Sequence, residues 1–344
     1  MTIDPTASAV QTHSLGDLPL ADGTTLRDAK IVYEVHGMLH ADGSNLVVFP
    51  TFFMGSHVEN RWLIVPQRSL DPNRYCIVVP NLIGNGMSTS PSNATAGQRD
   101  GQFPYVSYGD QVRAQRRLVD ELFGVPTAHA FVGWSMGASQ ALHWAVAFPA
   151  FVERVFAFCG SAQTSDHNVV FLDGVEAAIR ADSTLGSGFP RNGMRAAARV
   201  YAGWGFSGEF YAGRGYRALG FDSLELFLQG FWDSMLLARD PWDLIAMMTT
   251  WRRGDVGATA GTSTESALGR ITASPRTMRT STTRWDGYSR TERAQGGRWG
   301  EGASGMSRNQ VFAAVADPTR RAILTLLRER EEVAVGDIAA CFRT

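Results

Sequence analysis

HAFVGWSMGASQALHWAVAF, residues 129–148, decides the fold. HAFVG is a short apolar run of the kind that forms a buried strand. MGASQALHWAVAF is Ala-rich and reads as a helix. Between them stands Gly133-Trp134-Ser135-Met136-Gly137, a serine flanked by glycines at the junction of strand and helix. A reversal this tight strains the backbone at its middle residue. Side chains at Gly133 and Gly137 would collide with the neighbouring strand and helix. Ser135 is therefore the candidate nucleophile. The helix that follows aims backbone N–H groups at the same point, so the Met136 N–H is a candidate donor to a developing oxyanion.

Outward from this turn, DAKIVYEVH (28–36), NLVVFP (45–50), YCIVVP (75–80) and RVFAFC (154–159) read as further strands. Asp110 to Leu122 carries apolar residues at helical spacing. Alternating strands and helices predict parallel βαβ units, and fully apolar strands fit a sheet covered on both faces. From Asp166 to about Asp255 the strand signals stop and helical stretches rich in Trp and Phe take over (VEAAIRA, LELFLQGFWDSMLLA, DLIAMMTTW). That pattern predicts a helical cap whose aromatics, among them Trp204, Phe231, Trp232, Trp242 and Trp251, pack mainly on one another. A minority of them would line a substrate channel. Asp222, Asp233, Asp240, Asp243 and Asp255 read as helix caps or solvated faces.

Composition narrows the function classes. Net charge −1 gives no field to draw nucleic acid or anionic membrane to the whole molecule, and no apolar stretch approaches spanning length. The N-terminus has neither a basic nor an apolar signal region, which points to the cytoplasm. Cys76, Cys159 and Cys341 form no zinc pattern and read as buried thiols, so no metal is expected.

The stretches FPTFFMGSHVENRWLI (49–64), RYCIVVPNLIGNGMSTSPS (74–92) and FVGWSMGASQALHWAVAFPAFVERVFAFCGSAQTSDHN (131–168) resemble the homoserine O-acetyltransferase family of α/β-hydrolases. YAGWG and GFWDSMLLARDPWDL extend the likeness over roughly residues 15–270. The resemblance implies an α/β-hydrolase with a mostly parallel sheet, a core over 15–165 and a helical cap over 166–268. It implies ping-pong acyl transfer between a small-molecule donor and acceptor, with acetyl-CoA as acyl donor rather than bound cofactor; a homodimer is a separate expectation. Aligned on Gly55-Ser56-His57, it puts the second oxyanion donor on the backbone N–H of Phe52. FPTFFMG departs from the smaller, Thr- and Gly-bearing loop of the family's acetyltransferases. A serine esterase of the same fold is the alternative.

In this fold the catalytic groups follow in the order Ser, Asp or Glu, His. No histidine occurs after His167, and the family's acid and base would belong to segments beyond residue 270. The expectation is a chain truncated before its last strands and impaired in turnover. His57 and His167, on the sheet's carboxyl edge, are the candidates for a substitute base, whereas His129 and His143 read as packing or surface groups. Residues 269–305 lack periodicity and are crowded with Arg, Thr and Gly, as in a low-complexity linker or a shifted-frame translation, which opens a further alternative, a non-catalytic fusion product. VFAAVADPTRRAILTLLREREEVAVGDIAACF (311–342), within 306–344, resembles the ArsR-type winged-helix regulators. It stops before a recognition helix, so specific DNA binding is not expected.

Overall fold

The computed structural model describes residues 10–260. The linker and winged-helix expectations at 269–305 and 306–344 lie outside the described residues, as do the last residues of the expected cap. Six strands run β1 (Gln11–Pro19), β2 (Thr25–His36), β3 (Leu46–Val48), β4 (Cys76–Pro80), β5 (Ala130–Trp134) and β6 (Val155–Phe158). They lie side by side in the order β1-β2-β4-β3-β5-β6. β3 pairs in parallel with both β4 and β5, and β5 with β6, while β1 and β2 add an antiparallel edge. The fold is an α/β-hydrolase, as the sequence predicts. β3 and β4 are buried along their whole length, the expected state of a central strand with helices on both faces. Each Val or Ile so buried stabilises the fold by about 1.5–3 kcal/mol.

The helices are α1 (His57–Asn60), α2 (Tyr108–Phe123), α3 (Met136–Ala147), α4 (Asp166–Arg180), α5 (Arg191–Gly205), α6 (Gly208–Ala212), α7 (Leu224–Phe227), α8 (Ser234–Leu237), α9 (Pro241–Arg252) and α10 (Val256–Ala260). α2 begins with a reciprocal capping box between Ser107 and Asp110 and ends at Gly124 in the left-handed region, so both its ends are specified locally. From α4 to α9 the chain is helical without an intervening strand, as the sequence pattern over 166–255 predicts. The helix through LELFLQGFWDSMLL is continuous but not α throughout. A π-helical turn over Leu228–Asp233 separates α7 from α8, and such wide turns interrupt α-helices by i→i+5 bonding.

β1 went unread in the sequence because its apolar residues are sparse and the strand is irregular. Gly16 sits at φ +60, where the register with β2 slips.

Candidate active site

β5 delivers Ser135 at the carboxyl edge of the sheet, where its N–H bonds the Phe158 carbonyl at 3.1 Å. Ser135 has φ +54 and ψ −124, a conformation that L side chains rarely adopt. Two glycines permit it. A Cβ on Gly133 would lie 2.1 Å from the Gly137 carbonyl oxygen. One on Gly160, just past β6, would lie 2.5 Å from the Ala138 Cβ and 3.0 Å from the Ser135 carbonyl oxygen. Gly137 serves differently: a Cβ there would press on the carbonyl oxygens of Pro50 and Thr51 at 3.1 and 3.3 Å. Its lack of a side chain lets the loop after β3 lie against the start of α3.

Ser135 occupies the N-cap position of α3, where a serine ordinarily turns its oxygen to an N–H of the first turn. Here it makes no such bond. The strained φ swings the side chain off the helix end. Its carbonyl instead accepts from the N–H of Ala138 at 2.9 Å and of Ser139 at 3.2 Å. The Met136 N–H, first in the helix, has no acceptor one turn earlier within α3. A half-buried serine and a helix N-terminus meet at the end of a central strand.

The loop after β3 holds the second expected donor. Phe52 packs its ring on Trp134 at 4.5 Å between centroids. Phe53 stacks on Tyr201 of α5 and tilts against Trp251 of α9, both at 5.7 Å. The loop is also tied to the cap by polar contacts, since Arg239 donates to the Met54 carbonyl at 2.6 Å and reaches Glu59 at 3.6 Å. Over the floor stands an aromatic lid, in which Phe171 stacks on Trp204 at 4.8 Å and meets Tyr201 edge-on at 5.1 Å.

Neither candidate substitute base is hydrogen-bonded to Ser135. His57 is 3% exposed, and its Nδ1 faces the Asn81 amide nitrogen at 3.0 Å, while its backbone N–H donates to Asn81 Oδ1. Burial holds its pKa below the usual imidazole range. His167, on the first turn of α4, is exposed and sets its ring edge-on to Trp204 at 4.5 Å. His129 packs on Tyr75, and His143 stacks on Tyr108 and bonds Thr259 at 2.6 Å. Burial pulls His143 down to about 4. Both are the packing groups the sequence suggests.

Other expectations need correction. Asp240 is indeed the N-cap of α9, but Asp233 is buried against Arg199 and Asp243 is buried against Ser92. Cys76 is buried and its thiol is pushed up to about 12, whereas Cys159 is exposed on the turn after β6. Among the described residues no cluster of His, Cys, Asp or Glu could hold a metal, and no helix is long and apolar enough to cross a membrane. A depression of about 230 Å³ lined by residues such as Lys30, Met87 and Thr89 includes none of the elbow residues. Sequence reasoning missed Gly160, although a glycine directly after a strand beside a strained turn is a readable signal of close backbone approach.

Residues 45–197 match the model of the alpha/beta hydrolase fold. The ethyl acetate hydrolase of Pseudomonas veronii is 37% identical over 267 residues, spanning 76% of this chain and 76% of that protein. The chain belongs to the α/β-hydrolase family. The acetyl esterase MekB has a solved structure that superposes with a TM-score of 0.72 at 36% identity, covering 76% of this chain and 78% of that one. The homoserine O-acetyltransferase of Zymomonas mobilis is 35% identical over 183 residues, only 48% of this chain and 49% of its own length. In sequence the chain is thus similar over a longer stretch to this ester hydrolase than to this acetyltransferase.

Proposed function

We propose that this α/β-hydrolase attacks short-chain carboxylic esters, acetyl esters first among them, through Ser135. The observation that carries the reading is the elbow: a serine at φ +54, not spent on capping its helix, at the end of β5. The long-range similarity to an ethyl acetate hydrolase and an acetyl esterase supports the substrate class. In the first step Ser135 Oγ bonds to the ester carbonyl carbon and the carbonyl π pair moves onto oxygen. The N–H groups of Met136 and Phe52 would receive that charge. As the carbonyl re-forms, the bond to the alcohol oxygen breaks, and the proton from Oγ ends on the departing alcohol. Water then repeats the sequence on the acetyl-serine and releases acetate.

No histidine among the described residues is hydrogen-bonded to Ser135. The turn and the helix N-terminus can nonetheless polarise a carbonyl. A serine hydrolase stripped of triad members retains roughly 10³–10⁴-fold catalysis over water. The test is incubation of the 344-residue chain with p-nitrophenyl acetate, followed by peptide mapping for acetyl and by product release. We expect acetyl on Ser135 in the native protein and none in Ser135→Ala. Equal p-nitrophenol release by the two proteins would overturn the proposal. Homoserine added to the acetylated protein is expected to yield no O-acetylhomoserine, and its appearance would restore the transferase reading.

A further inference from the structure

Behind the elbow runs a line of buried polar side chains that the chemistry above does not use. Trp144 Nε1 donates to Gln115 Oε1 at 2.9 Å. Gln115 Nε2 donates to Gln140 Oε1 at 2.6 Å. Gln140 Nε2 donates to the Thr51 carbonyl at 3.1 Å and to the Met136 carbonyl at 3.3 Å. All three side chains are at most 1% exposed. An indole N–H can only donate, so the oxygen of Gln115 must face it. That choice fixes which end of Gln115 meets Gln140, and hence that an N–H, not an oxygen, meets Thr51. The line therefore has one polarity, set at Trp144 and delivered at the loop after β3.

The receiving carbonyl matters because it shares a rigid peptide plane with the N–H of Phe52. In a trans peptide the C=O and N–H point in opposite directions. Holding the Thr51 oxygen toward α3 therefore turns the Phe52 N–H the other way. The preceding two carbonyls, of Phe49 and Pro50, are held in turn by Asn60 Nδ2 at 3.0 and 3.1 Å. Successive peptide planes of the loop are thus oriented by side-chain amides that never meet substrate.

We infer that Gln140 is a positioning residue for ester attack, aiming the Phe52 N–H by its grip on the Thr51 carbonyl, with Gln115 and Trp144 fixing the direction of that grip. The inference rests on Ser135 being the nucleophile. Gln140→Leu roughly keeps the volume and removes the donor, and Trp144→Phe removes the N–H that sets polarity together with part of the buried ring. For each folded variant the rate of Ser135 acetylation by p-nitrophenyl [1-¹³C]acetate would be measured per active molecule, together with the infrared carbonyl stretch of the acetyl-serine.

Loss of one oxyanion donor costs about 10²–10³-fold, so Gln140→Leu is expected to slow acetylation by on the order of 10²-fold and to raise and broaden the carbonyl band. Trp144→Phe should move both readouts in the same direction by less. A merely structural role would lower thermal stability and leave rate and band unchanged in the folded fraction, and that result overturns the inference. Should Gln140→Leu fail to fold, an unchanged band and rate in Trp144→Phe would overturn it equally. A native protein that never acetylates Ser135 would instead defeat the nucleophile reading on which this rests.

Discussion

The floor of the site and its lid are held by different physics. At the floor, Gly133 and Gly160 leave no room for a methyl group, and Gly137 leaves little. The polar contacts beneath it are directional. The lid of α4 to α9 is joined by ring faces and edges: Phe171 on Trp204, Tyr201 on Trp232, Phe206 against Phe210 and Phe227. Aromatic pairs contribute about 0.5–1.5 kcal/mol each beyond their burial and accept a range of geometries. The floor should therefore tolerate almost nothing and the lid a good deal. The proposed ester attack needs a serine and its donors fixed to within about half an ångström, while the channel proposed for small esters needs only an apolar wall.

The sharpest way to break this contrast is Gly133→Ala. The new Cβ would overlap the Gly137 carbonyl oxygen. The expected cost exceeds about 4 kcal/mol, enough to remove much of the stability of an ordinary domain. Urea unfolding decides the matter, and a Gly133→Ala variant as stable as the parent would show that the elbow has slack. In the lid, Phe171→Leu should cost about 1–3 kcal/mol, since it removes ring contacts and some volume from a buried site that can repack. It should alter KM more than kcat for esters of longer acyl chains. A loss as large as that at Gly133 would mean that the lid is as tightly specified as the floor.

The smallest effect concerns two buried carboxyls with opposite shifts. Glu34, on β2, is buried, and burial alone would raise its pKa. Bonds from His36 at 2.9 Å and from Arg61 at 2.5 and 3.0 Å outweigh burial and hold it at about 2. Its contribution to stability is present above the ordinary glutamate range and is lost as pH falls toward 2. Asp243, where α9 meets the 86–93 loop, is pushed up to about 7 by burial, against the opposing bonds from Ser92. The folded state then holds a proton that the unfolded chain has released. Stability from this group is full below pH about 4 and declines as pH rises toward 7. Unfolding free energy measured against pH should lose that decline in Asp243→Asn. An unchanged slope would show that Ser92 keeps Asp243 charged.

Much of the floor was legible before the structure. Strands placed at 28–36, 45–50, 75–80 and 154–159 lie within a few residues of those observed, because short apolar runs bounded by turn residues mark strands that pack against helices. The elbow was legible because a strained turn between strand and helix demands small residues at fixed offsets. The lid was legible as helix, but not its π turn at Leu228–Asp233, since a π turn leaves no composition signal. Asp243 looked like a helix cap because nothing local announces that Ser92 will lie on it from 151 residues away.

By itself, then, the sequence determined the strained turn at Ser135, its glycines and most of the sheet, all of which depend on neighbours within a few residues and on a period that burial imposes. Only the tertiary structure decided that Gly160 shares the elbow's crowding and that His57 is held by Asn81 rather than by Ser135. It alone showed that Gln115, Gln140 and Trp144 line up behind the Thr51 carbonyl. Gln115 and Gln140 come from different helices, 25 positions apart. A glutamine reads in sequence as a surface residue, and it becomes a buried strut only when packing removes every water that could have served it.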